Sequence, residues 1–345
     1  MEIREIRVPG YEGVVCGSDE AAGYQGIVVI HSTTLGPAVG GTRCWSYKTE
    51  EDAITDGLRL ARGMTYKNAL AGLPFGGGKS IVIRNDAAGR EQLFRAHGRM
   101  VNTFEGKYIT AEDVGTSPAD MEYILKETAY VGGLQGRSGD PSPHTARGVF
   151  RAMQAAAEFR WKTDDLRGKT VAIQGCGHVG YFLAGELEAV GAKLIVADVD
   201  SAKVKKVVDE YHATAIAPES IYSASADVFA PCALGGIIND QTLPQLKVEL
   251  VVGGANNQLL ETRHGEQLEQ RGILYAPDYA ANAGGVINGC CREMLGWDVA
   301  RTLAKTDAIY DTLLSIFELA RREKIPTYQA ADRLAEERWK PAIAP

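Results

Sequence analysis

The chain has 345 residues, which is enough for about two domains with sizeable cores, and it contains 39 glycines, 45% hydrophobic residues and 23% charged residues. This composition excludes a collagen-like protein, a disordered linker and a coiled coil. The net charge of −7 and the lack of a basic block argue against nucleic acid or anionic membranes as partners.

The cysteines and the N-terminus indicate where the protein works. None of the six cysteines forms a C-x-x-C pair, and no second ligand pair stands at metal spacing. The N-terminal residues lack an apolar core, and no run of 18 apolar residues occurs. We therefore expect a cytoplasmic protein with reduced thiols, without a signal peptide, a membrane span or a metal.

The first part of the chain alternates between strand-like and helix-like segments. Residues 25–31 and 80–84 are rich in β-branched residues and predict strands. Between them, Thr49 is a candidate N-cap for a helix over residues 49–61, with acidic residues in its first turn. For the glycine cluster at residues 36–43 we favour a turn, although a double glycine can also offer N–H groups to a carboxylate.

Two lysines with glycines nearby, Lys67 and Lys79, are candidate functional groups. Lys79 stands between three consecutive glycines and an apolar strand, where a lysine can lose its hydration. A partly buried lysine beside another cation loses its proton more easily. One of the pair is therefore a candidate base, while the other stays charged and holds an anion.

A third candidate group follows the predicted strand over residues 107–110. Carboxylates at the carboxyl end of a strand are well placed for chemistry, which makes Asp113 a candidate acid. Glu112 competes for the same role. If strand alternation continues, the two side chains point in opposite directions. The residues alone leave the choice open.

The second part of the chain begins after a Gly- and Pro-rich break at residues 131–143. Strands are predicted over residues 169–174, 193–197, 228–230 and 250–252, and helices over residues 179–190 and 328–339. Strands that alternate with helices imply a parallel sheet built from right-handed βαβ units.

A G-x-G-x-x-G sequence follows the first of these strands and comprises Gly175, Cys176, Gly177, His178, Val179 and Gly180. The first glycine permits a tight turn, the second lets a pyrophosphate approach the backbone, and the third allows close helix packing. The side chains of the second and fourth residues are expected to point away from a cofactor. Asp198 ends the next strand and can accept hydrogen bonds from a ribose diol, which favours NAD over NADP.

Together these segments resemble the leucine, phenylalanine and valine dehydrogenases, relatives of glutamate dehydrogenase that oxidatively deaminate L-amino acids with NAD. The resemblance is carried by GPAVGGTR, GMTYKNALAGLPFGGGKS, TAEDVGT, GDPSPHTARGV, GCGHVG, APCALGGIINDQTLPQL, YAPDYAANAGGVIN and IPTYQAADRLAEER. It implies an α/β fold of two domains separated by a cleft. The N-terminal substrate domain would comprise residues 1–137, with residues 326–345 packed back on it, and the Rossmann-type NAD-binding domain residues 138–325.

The resemblance also implies residue roles. Lys67 would bind the substrate carboxylate with help from the backbone of Gly40 and Gly41. Lys79 would be the general base that activates water, and Asp113 would shuttle protons at the amine.

The same resemblance assigns further residues to the two binding sites. At the substrate it adds Met64, Ala111, Asn257, Val286 and Gly289. At the cofactor it adds Thr145, Cys232, Ala233 and Asn257 to the glycine-rich turn and Asp198.

The implied reaction is hydride transfer from the amino acid Cα to NAD⁺, attack of water, and release of a 2-oxo acid and ammonia. Residues 230–246 and 325–338, with Ala111, are similar to the leucine enzymes, whereas GGGK and REMLGW lean towards the phenylalanine and tryptophan enzymes. Gly289 stands where leucine-type enzymes usually have a valine, and the lost bulk would enlarge the site. We predict a branched-chain aliphatic preference with tolerance of larger side chains; the alternative is an aromatic amino acid dehydrogenase.

Two other classes of protein share the cofactor fold. A non-catalytic NAD(H)-binding regulator would not need Lys67, Lys79 and Asp113. A 2-hydroxy-acid dehydrogenase would use a histidine base and an arginine, but the six histidines lie outside such a constellation. Because the resembling family forms homo-oligomers, we expect a homo-oligomer here.

Overall fold

The structure is a computed structural model that describes residues 1–340. The chain forms two compact units, and the predicted two-domain α/β class is confirmed. The first unit contains Met1–Gly139, Gly289–Trp297 and the described residues from 335 onward. The second unit contains Asp140–Asn288 and Asp298–Leu334.

The first unit is built on a six-stranded sheet covered by helices on both faces. Its strands are β1 (Glu2–Ile6), β2 (Gly13–Asp19), β3 (Tyr24–Ser32), β4 (Ala38–Trp45), β5 (Gly76–Ile83) and β6 (Tyr108–Glu112). They lie in the order β1-β2-β3-β5-β4-β6, with β4 parallel to both β5 and β6. Its first helices are α1 (Glu50–Leu70), α2 (Arg90–Asn102) and α3 (Pro118–Leu125).

Helix α1 begins as predicted but extends nine residues beyond residue 61, to Leu70. The side chain of Thr49 accepts a hydrogen bond from the backbone N–H of Asp52, which confirms Thr49 as the N-cap. A Cβ built at Gly57 of this helix would lie 3.1 Å from Val29, so the helix lies close against the sheet. The segment that carries Met64 and Lys67 is therefore helical, which the sequence-based end at residue 61 did not include.

Both glycine clusters of the first unit lie in strands, so the turn predicted for residues 36–43 is wrong from Ala38 onward. A Cβ at Gly40 would lie 1.8 Å from the carbonyl oxygen of Gly78 on the neighbouring strand. A Cβ at Gly77 would lie 2.0 Å from the backbone nitrogen of Thr65 on α1. These glycines are needed because strand and helix backbones approach each other too closely for a side chain.

The second unit contains a six-stranded sheet that is parallel throughout. Its strands are β7 (Thr170–Gln174), β8 (Lys193–Ala197), β9 (Thr214–Ala215), β10 (Val228–Pro231), β11 (Leu250–Val251) and β12 (Leu274–Tyr275). Their order is β12-β11-β10-β7-β8-β9. Numbered from β7, this is the 3-2-1-4-5-6 order of doubly wound dinucleotide-binding sheets.

Nine helices follow the first unit's α3 in the described part of the chain. They are α4 (Ser142–Trp161), α5 (His178–Ala189), α6 (Ser201–Tyr211), α7 (Arg263–Gln270), α8 (Asp278–Ala281), α9 (Gly284–Gly289), α10 (Val299–Asp307), α11 (Ile309–Glu323) and α12 (Thr327–Trp339). No helix within residues 1–340 is both long enough and apolar enough to cross a membrane.

The two units differ from the sequence-based division at two segments. Residues 289–297, placed by sequence in the NAD-binding domain, belong to the first unit, where Glu293 accepts a hydrogen bond from the N–H of Gly133 at 3.0 Å. The start of α12 belongs to the second unit, where Tyr279 donates a hydrogen bond to Asp332 at 2.6 Å. Such contacts depend on tertiary packing, which local sequence patterns do not report.

From residue 335 onward, α12 contributes to the first unit. The guanidinium of Arg338 donates hydrogen bonds to the carbonyls of Ala69 at 2.9 Å and Leu70 at 2.6 Å. These carbonyls lie at the C-terminus of α1, where no intrahelical donor remains. The end of the chain therefore stabilises the last turn of the helix that carries Lys67.

Candidate active site

The face of the first sheet that α1 covers carries most of the polar groups predicted for catalysis. Gly77 meets α1, so strand alternation places Lys79, two residues later, on the same face. The hydroxyls of Thr42 and Thr110 are hydrogen-bonded to each other on the opposite face. Their strand neighbours therefore face α1; these are Gly41, Arg43 and Ala111.

Lys79 and Asp113 form a direct ion pair. The Lys79 Nζ lies 2.9 Å from Oδ2 of Asp113, and only 5% of the lysine side chain is exposed. Arg43 Nε donates to the same oxygen at 3.2 Å. The two predicted catalytic groups, Lys79 and Asp113, are thus in direct contact, and Arg43 is a second cation beside Asp113.

The surroundings change the pKa values of both groups. Burial lowers the pKa of Lys79, and the negative charge of Asp113 opposes this effect only in part. Burial raises the pKa of Asp113, but the charges of Lys79 and Arg43 outweigh burial and hold this pKa below its usual range. Lys79 is therefore more readily neutralised than an ordinary lysine, while Asp113 stays ionised.

Gly41 explains how Asp113 approaches the lysine. The strand β4 lies between β5, which carries Lys79, and β6, which Asp113 follows. A Cβ at Gly41 would lie 2.8 Å from the Cβ of Asp113 and 2.5 Å from the carbonyl oxygen of Glu112. A side chain there would push the carboxylate away, so the glycine is part of the site's geometry.

Glu112 lies on the other side of this sheet. Glu112 is two residues after Thr110 in β6, so both side chains lie on the same face of the sheet. A Cβ at Gly133 would lie 3.2 Å from the Cβ of Glu112. The geometry therefore pairs Asp113, and not Glu112, with Lys79.

The predicted carboxylate-binding lysine, Lys67, is half-buried near the end of α1. It lies two residues after Thr65, whose backbone meets Gly77 and whose hydroxyl is 2.8 Å from Nδ1 of His31. Met64, also half-buried, immediately precedes Thr65. Both predicted residues therefore belong to the part of α1 that lies against the strand of Lys79.

The opposite face of the sheet contains a buried polar network. The Nε2 atom of His97 lies 3.1 Å from the Thr42 hydroxyl and 3.0 Å from the Ser80 hydroxyl, and Nδ1 lies 2.9 Å from the Tyr24 hydroxyl. Burial lowers the pKa of His97 to about 3. This histidine is thus neutral and hydrogen-bonded, and it supports the sheet.

The glycine-rich turn of the second unit has the backbone geometry expected of a dinucleotide site. Gly175 has φ +101°, and a Cβ at Gly180 would lie 1.9 Å from the carbonyl oxygen of Gly175. A Cβ at Gly177 would meet no atom within 4 Å, so this backbone is open to an approaching group. Helix α5 begins here without a side-chain cap, which leaves its first N–H groups for an anion. The turn therefore fits a pyrophosphate.

The remaining residues of this turn differ in position. Cys176 is buried, whereas the His178 side chain is 82% exposed, with Nδ1 3.4 Å from Asp140 Oδ2. Val179 is half-buried and would lie 2.6 Å from a Cβ at Gly254. Burial raises the pKa of the Cys176 thiol to about 12, so this cysteine is a packing residue rather than a reactive thiolate.

Asp198 is bonded to the turn itself. Its Oδ2 accepts a hydrogen bond from the N–H of Cys176 at 2.7 Å, and its Oδ1 accepts one from the N–H of Asp200 at 2.9 Å. The carboxylate therefore stabilises the turn, and its role towards a ribose diol stays a prediction.

Other predicted cofactor residues lie at the carboxyl ends of neighbouring strands. Cys232 and Ala233 follow β10, and the N–H of Ala233 would lie 2.9 Å from a Cβ at Gly175. The pair β7 and β10 marks the point where the strand order reverses, which is where such sheets bind ligands. Asn257 follows β11 in a left-handed conformation, with φ +52°.

The last predicted residues lie on helices. Thr145, in the first turn of α4, donates a hydrogen bond to the carbonyl of Pro141 at 3.1 Å. Val286 of α9 is half-buried and belongs to the second unit, whereas Gly289 belongs to the first. Among residues 1–340, no atom lies within 4 Å of a Cβ built at Gly289.

The sequence interpretation assigned no role to Arg43 and Asp56. Arg43 Nη1 lies 2.9 Å from Asp56 Oδ2 on α1, so a chain of charged groups runs from Lys79 through Asp113 and Arg43 to Asp56. Arg43 stands two residues after Gly41 in β4. Residues at this spacing in a strand lie on the same face of the sheet. Within residues 1–340, no group of three or more His, Cys, Asp or Glu side chains has the geometry of a metal site.

Comparison with known proteins identifies matches over both units. A family model described as "Glu/Leu/Phe/Val dehydrogenase, dimerisation domain" matches residues 14–130. A second model, "Glutamate/Leucine/Phenylalanine/Valine dehydrogenase", matches residues 132–204 and 196–332. The family resemblance carried by the sequence motifs is therefore confirmed.

Individual relatives cover nearly the whole chain. The leucine dehydrogenase of Geobacillus stearothermophilus is 53% identical over 332 residues, which is 95% of this chain and 90% of that protein. The phenylalanine dehydrogenase of Caldalkalibacillus thermarum is 45% identical over 96% of this chain and 92% of its own. The crystal structure of L-tryptophan dehydrogenase from Nostoc punctiforme superimposes with a TM-score of 0.87 at 45% identity and covers 95% of this chain and 96% of that one.

Proposed function

The chain belongs to the Glu/Leu/Phe/Val dehydrogenase family of amino acid dehydrogenases, and we propose that it oxidatively deaminates L-leucine and other branched-chain aliphatic amino acids with NAD. The observation that carries this proposal is the buried ion pair between Lys79 and Asp113. Amino acid oxidation needs a base that gives up its proton more easily than an ordinary lysine, and a carboxylate that exchanges protons with an amine. The lowered pKa of Lys79 and the ionised Asp113 match these two needs.

Each group of the first unit has a distinct task in this proposal. Neutral Lys79 removes a proton from the water that attacks the substrate imine, and Asp113 exchanges protons with the substrate nitrogen. Lys67, held on the last turns of α1, pairs with the substrate carboxylate, and the backbone N–H groups of Gly40 and Gly41 are the proposed further donors. Collapse of the resulting carbinolamine releases ammonia and the 2-oxo acid.

The second unit has the fold of a Rossmann-type NAD(P)-binding domain, and we propose that it binds NAD. When bound, NAD⁺ accepts the hydride from the substrate Cα. The open backbone at Gly177 and the N–H groups at the start of α5 would hold the pyrophosphate. Asp198 would accept hydrogen bonds from the ribose diol, and its negative charge would repel a 2′-phosphate.

The proposed substrate preference is supported by the 53% identity to leucine dehydrogenase. The tryptophan and phenylalanine dehydrogenases are 46% and 45% identical, and the open space beside Gly289 supports tolerance of larger side chains. We therefore propose aliphatic preference with weaker aromatic turnover, and an aromatic amino acid dehydrogenase as the second candidate.

A substrate panel tests this proposal. NADH formation is followed at 340 nm with leucine, valine, isoleucine, phenylalanine and tryptophan. We expect kcat/KM to be highest for the three aliphatic amino acids. A higher value for phenylalanine or tryptophan would establish the second candidate, and NAD binding without oxidation of any amino acid would indicate a regulator.

Cofactor choice is tested at Asp198. In Asp198→Ala we expect the ratio of kcat/KM with NAD to kcat/KM with NADP to fall about tenfold or more, because a hydrogen bond to a charged group contributes about 1.5–3 kcal/mol. Binding of both cofactors should weaken as well, since Asp198 also holds the N–H of Cys176. Asp200→Ala is the matched control: Asp200 caps α6, so its loss should lower stability but leave the ratio unchanged. An unchanged ratio in Asp198→Ala would mean that another residue reads the ribose.

We also propose that the protein is a cytoplasmic homo-oligomer. The match of residues 14–130 to a dimerisation domain supports self-association. Light scattering coupled to size-exclusion chromatography measures the mass directly, and a monomer at micromolar concentration would contradict this part of the proposal.

A further inference from the structure

One oxygen of Asp113 is shared by two cations. Lys79 Nζ lies 2.9 Å from Oδ2, and Arg43 Nε lies 3.2 Å from the same atom. Lys79 and Arg43 therefore approach Asp113 at a common carboxylate oxygen. The position of the carboxylate therefore depends on both cations.

Arg43 is itself held from behind. Its Nη1 lies 2.9 Å from Oδ2 of Asp56, which also accepts a hydrogen bond from the Tyr47 hydroxyl at 2.7 Å. The second oxygen of Asp56 accepts a hydrogen bond from Arg59 at 3.1 Å. The Arg43 side chain is only 20% exposed, and its guanidinium contacts Asp113 through Nε and Asp56 through Nη1. Its charge therefore has a fixed position near the ion pair.

We propose that Arg43 is a positioning residue for the catalytic pair: its guanidinium, fixed by Asp56, holds the Asp113 carboxylate beside Lys79. The inference rests on the proposed roles of Lys79 and Asp113. Arg43 acts through these two residues and contacts neither substrate nor cofactor in the proposed mechanism.

The charges around Lys79 give the sign of the expected effect. Asp113 from the end of β6 and Asp56 from α1 raise the pKa of Lys79, whereas burial and Arg43 from β4 lower it. Tyr47 and Arg59 act on Asp56, and α1 also carries Lys67. Removing the charge of Arg43 removes a repulsion on protonated Lys79, so the pKa of Lys79 rises. The neutral amine is the active form, so kcat/KM falls at low pH as Lys79 is protonated. This fall, the acid limb of the pH profile, then moves to higher pH.

Three variants separate this role from a structural one. Arg43→Gln removes the charge, Arg43→Lys keeps it without the two-sided guanidinium contacts, and Arg59→Gln removes an arginine that contacts Asp56. No hydrogen bond or ion pair joins Arg59 to Asp113 among the described residues. The melting temperature of each variant verifies that the first unit, which contains Arg43 and Arg59, stays folded.

In Arg43→Gln we expect kcat/KM for leucine to fall and its acid limb to shift upward by about one pH unit. Arg43→Lys should return the limb towards its original position while kcat stays reduced, because the lysine restores charge but not the geometry. Arg59→Gln should leave the limb where it is.

A second measurement does not depend on turnover. Lys79 in the free protein is acetylated with trace acetic anhydride across a pH series, and its labelling is quantified by mass spectrometry. The midpoint of labelling should rise in Arg43→Gln by the same amount as the acid limb.

The outcomes are decisive in each direction. A uniform loss of rate in Arg43→Gln, with limb and labelling midpoint unchanged, would overturn the proposal. An equal shift in Arg59→Gln would also overturn it, because the effect would then belong to Asp56. If the parent protein oxidised no amino acid, the proposed function would fail, whereas the labelling midpoints would still decide how Arg43 acts on Lys79.

Discussion

Replacing Lys79 by alanine or methionine is expected to reduce amino acid oxidation by about a thousandfold or more while NAD binding stays nearly intact. General base catalysis contributes roughly 10² to 10⁴ in rate, and Lys79 is the buried amine whose pKa is lowered beside the proposed acid. Turnover is measured at 340 nm and NADH affinity by fluorescence. Lys126→Ala is the control, since that lysine is exposed and paired with Glu91. Activity above a few per cent in either Lys79 variant would move the base elsewhere.

The methionine variant should also be at least as stable as the parent protein. Burying a charged lysine costs free energy that its ion pair only partly returns. In Lys79→Met the apolar side chain fills the same space, and Asp113 keeps Arg43 as a partner. A melting temperature equal to or above that of the parent, together with lost turnover, would show that Lys79 is retained for chemistry rather than for folding. A large drop in melting temperature would contradict this reading.

How far the sequence predicts the site depends on whether the signal is local. The turn at Gly175 and Gly180 was predictable because each glycine answers a local backbone demand and the turn is flanked by a strand and a helix. Asp113 was found as a candidate by its position after a strand, but the choice against Glu112 needed the register of β6 beside β4. Sequence patterns report local conformation, whereas the pairing of side chains is set by neighbouring elements.

The glycines of the first unit show the same limit. For Gly40 and Gly41 the local sequence favours a turn, since a glycine cluster is typical of one. Their actual reason lies across the sheet, where Gly78 and Asp113 approach too closely to admit a Cβ. The contacts of Arg43 are equally nonlocal, since its partners come from segments 13 and 70 residues away. The family resemblance implies a substrate role for the backbone of Gly40 and Gly41, and this role stays a prediction.

The choice between the two adjacent carboxylates leads to the second large effect. In Asp113→Asn we expect kcat to fall by about 10² to 10⁴, because the amide keeps the shape of the side chain but cannot exchange a proton with the substrate amine. Glu112→Gln is a matched control that makes the same chemical change one residue away, on the other face of the sheet, and should alter kcat only a few-fold. The melting temperatures of both variants are compared so that a folding defect in the first unit is recognised. The reverse ranking would assign the acid to Glu112.

The pH profile of Asp113→Asn carries independent information. Asp113 raises the pKa of Lys79, so removing its charge lets burial and Arg43 lower that pKa further. The acid limb of the residual activity should therefore move to lower pH, opposite to the shift expected for Arg43→Gln. Shifts of opposite sign from two variants that both slow the reaction cannot arise from a general loss of structure. Opposite shifts require that the charges of Arg43 and Asp113 act on one titrating amine. If both variants shifted the acid limb in the same direction, Lys79 would not be the group that limits the rate at low pH.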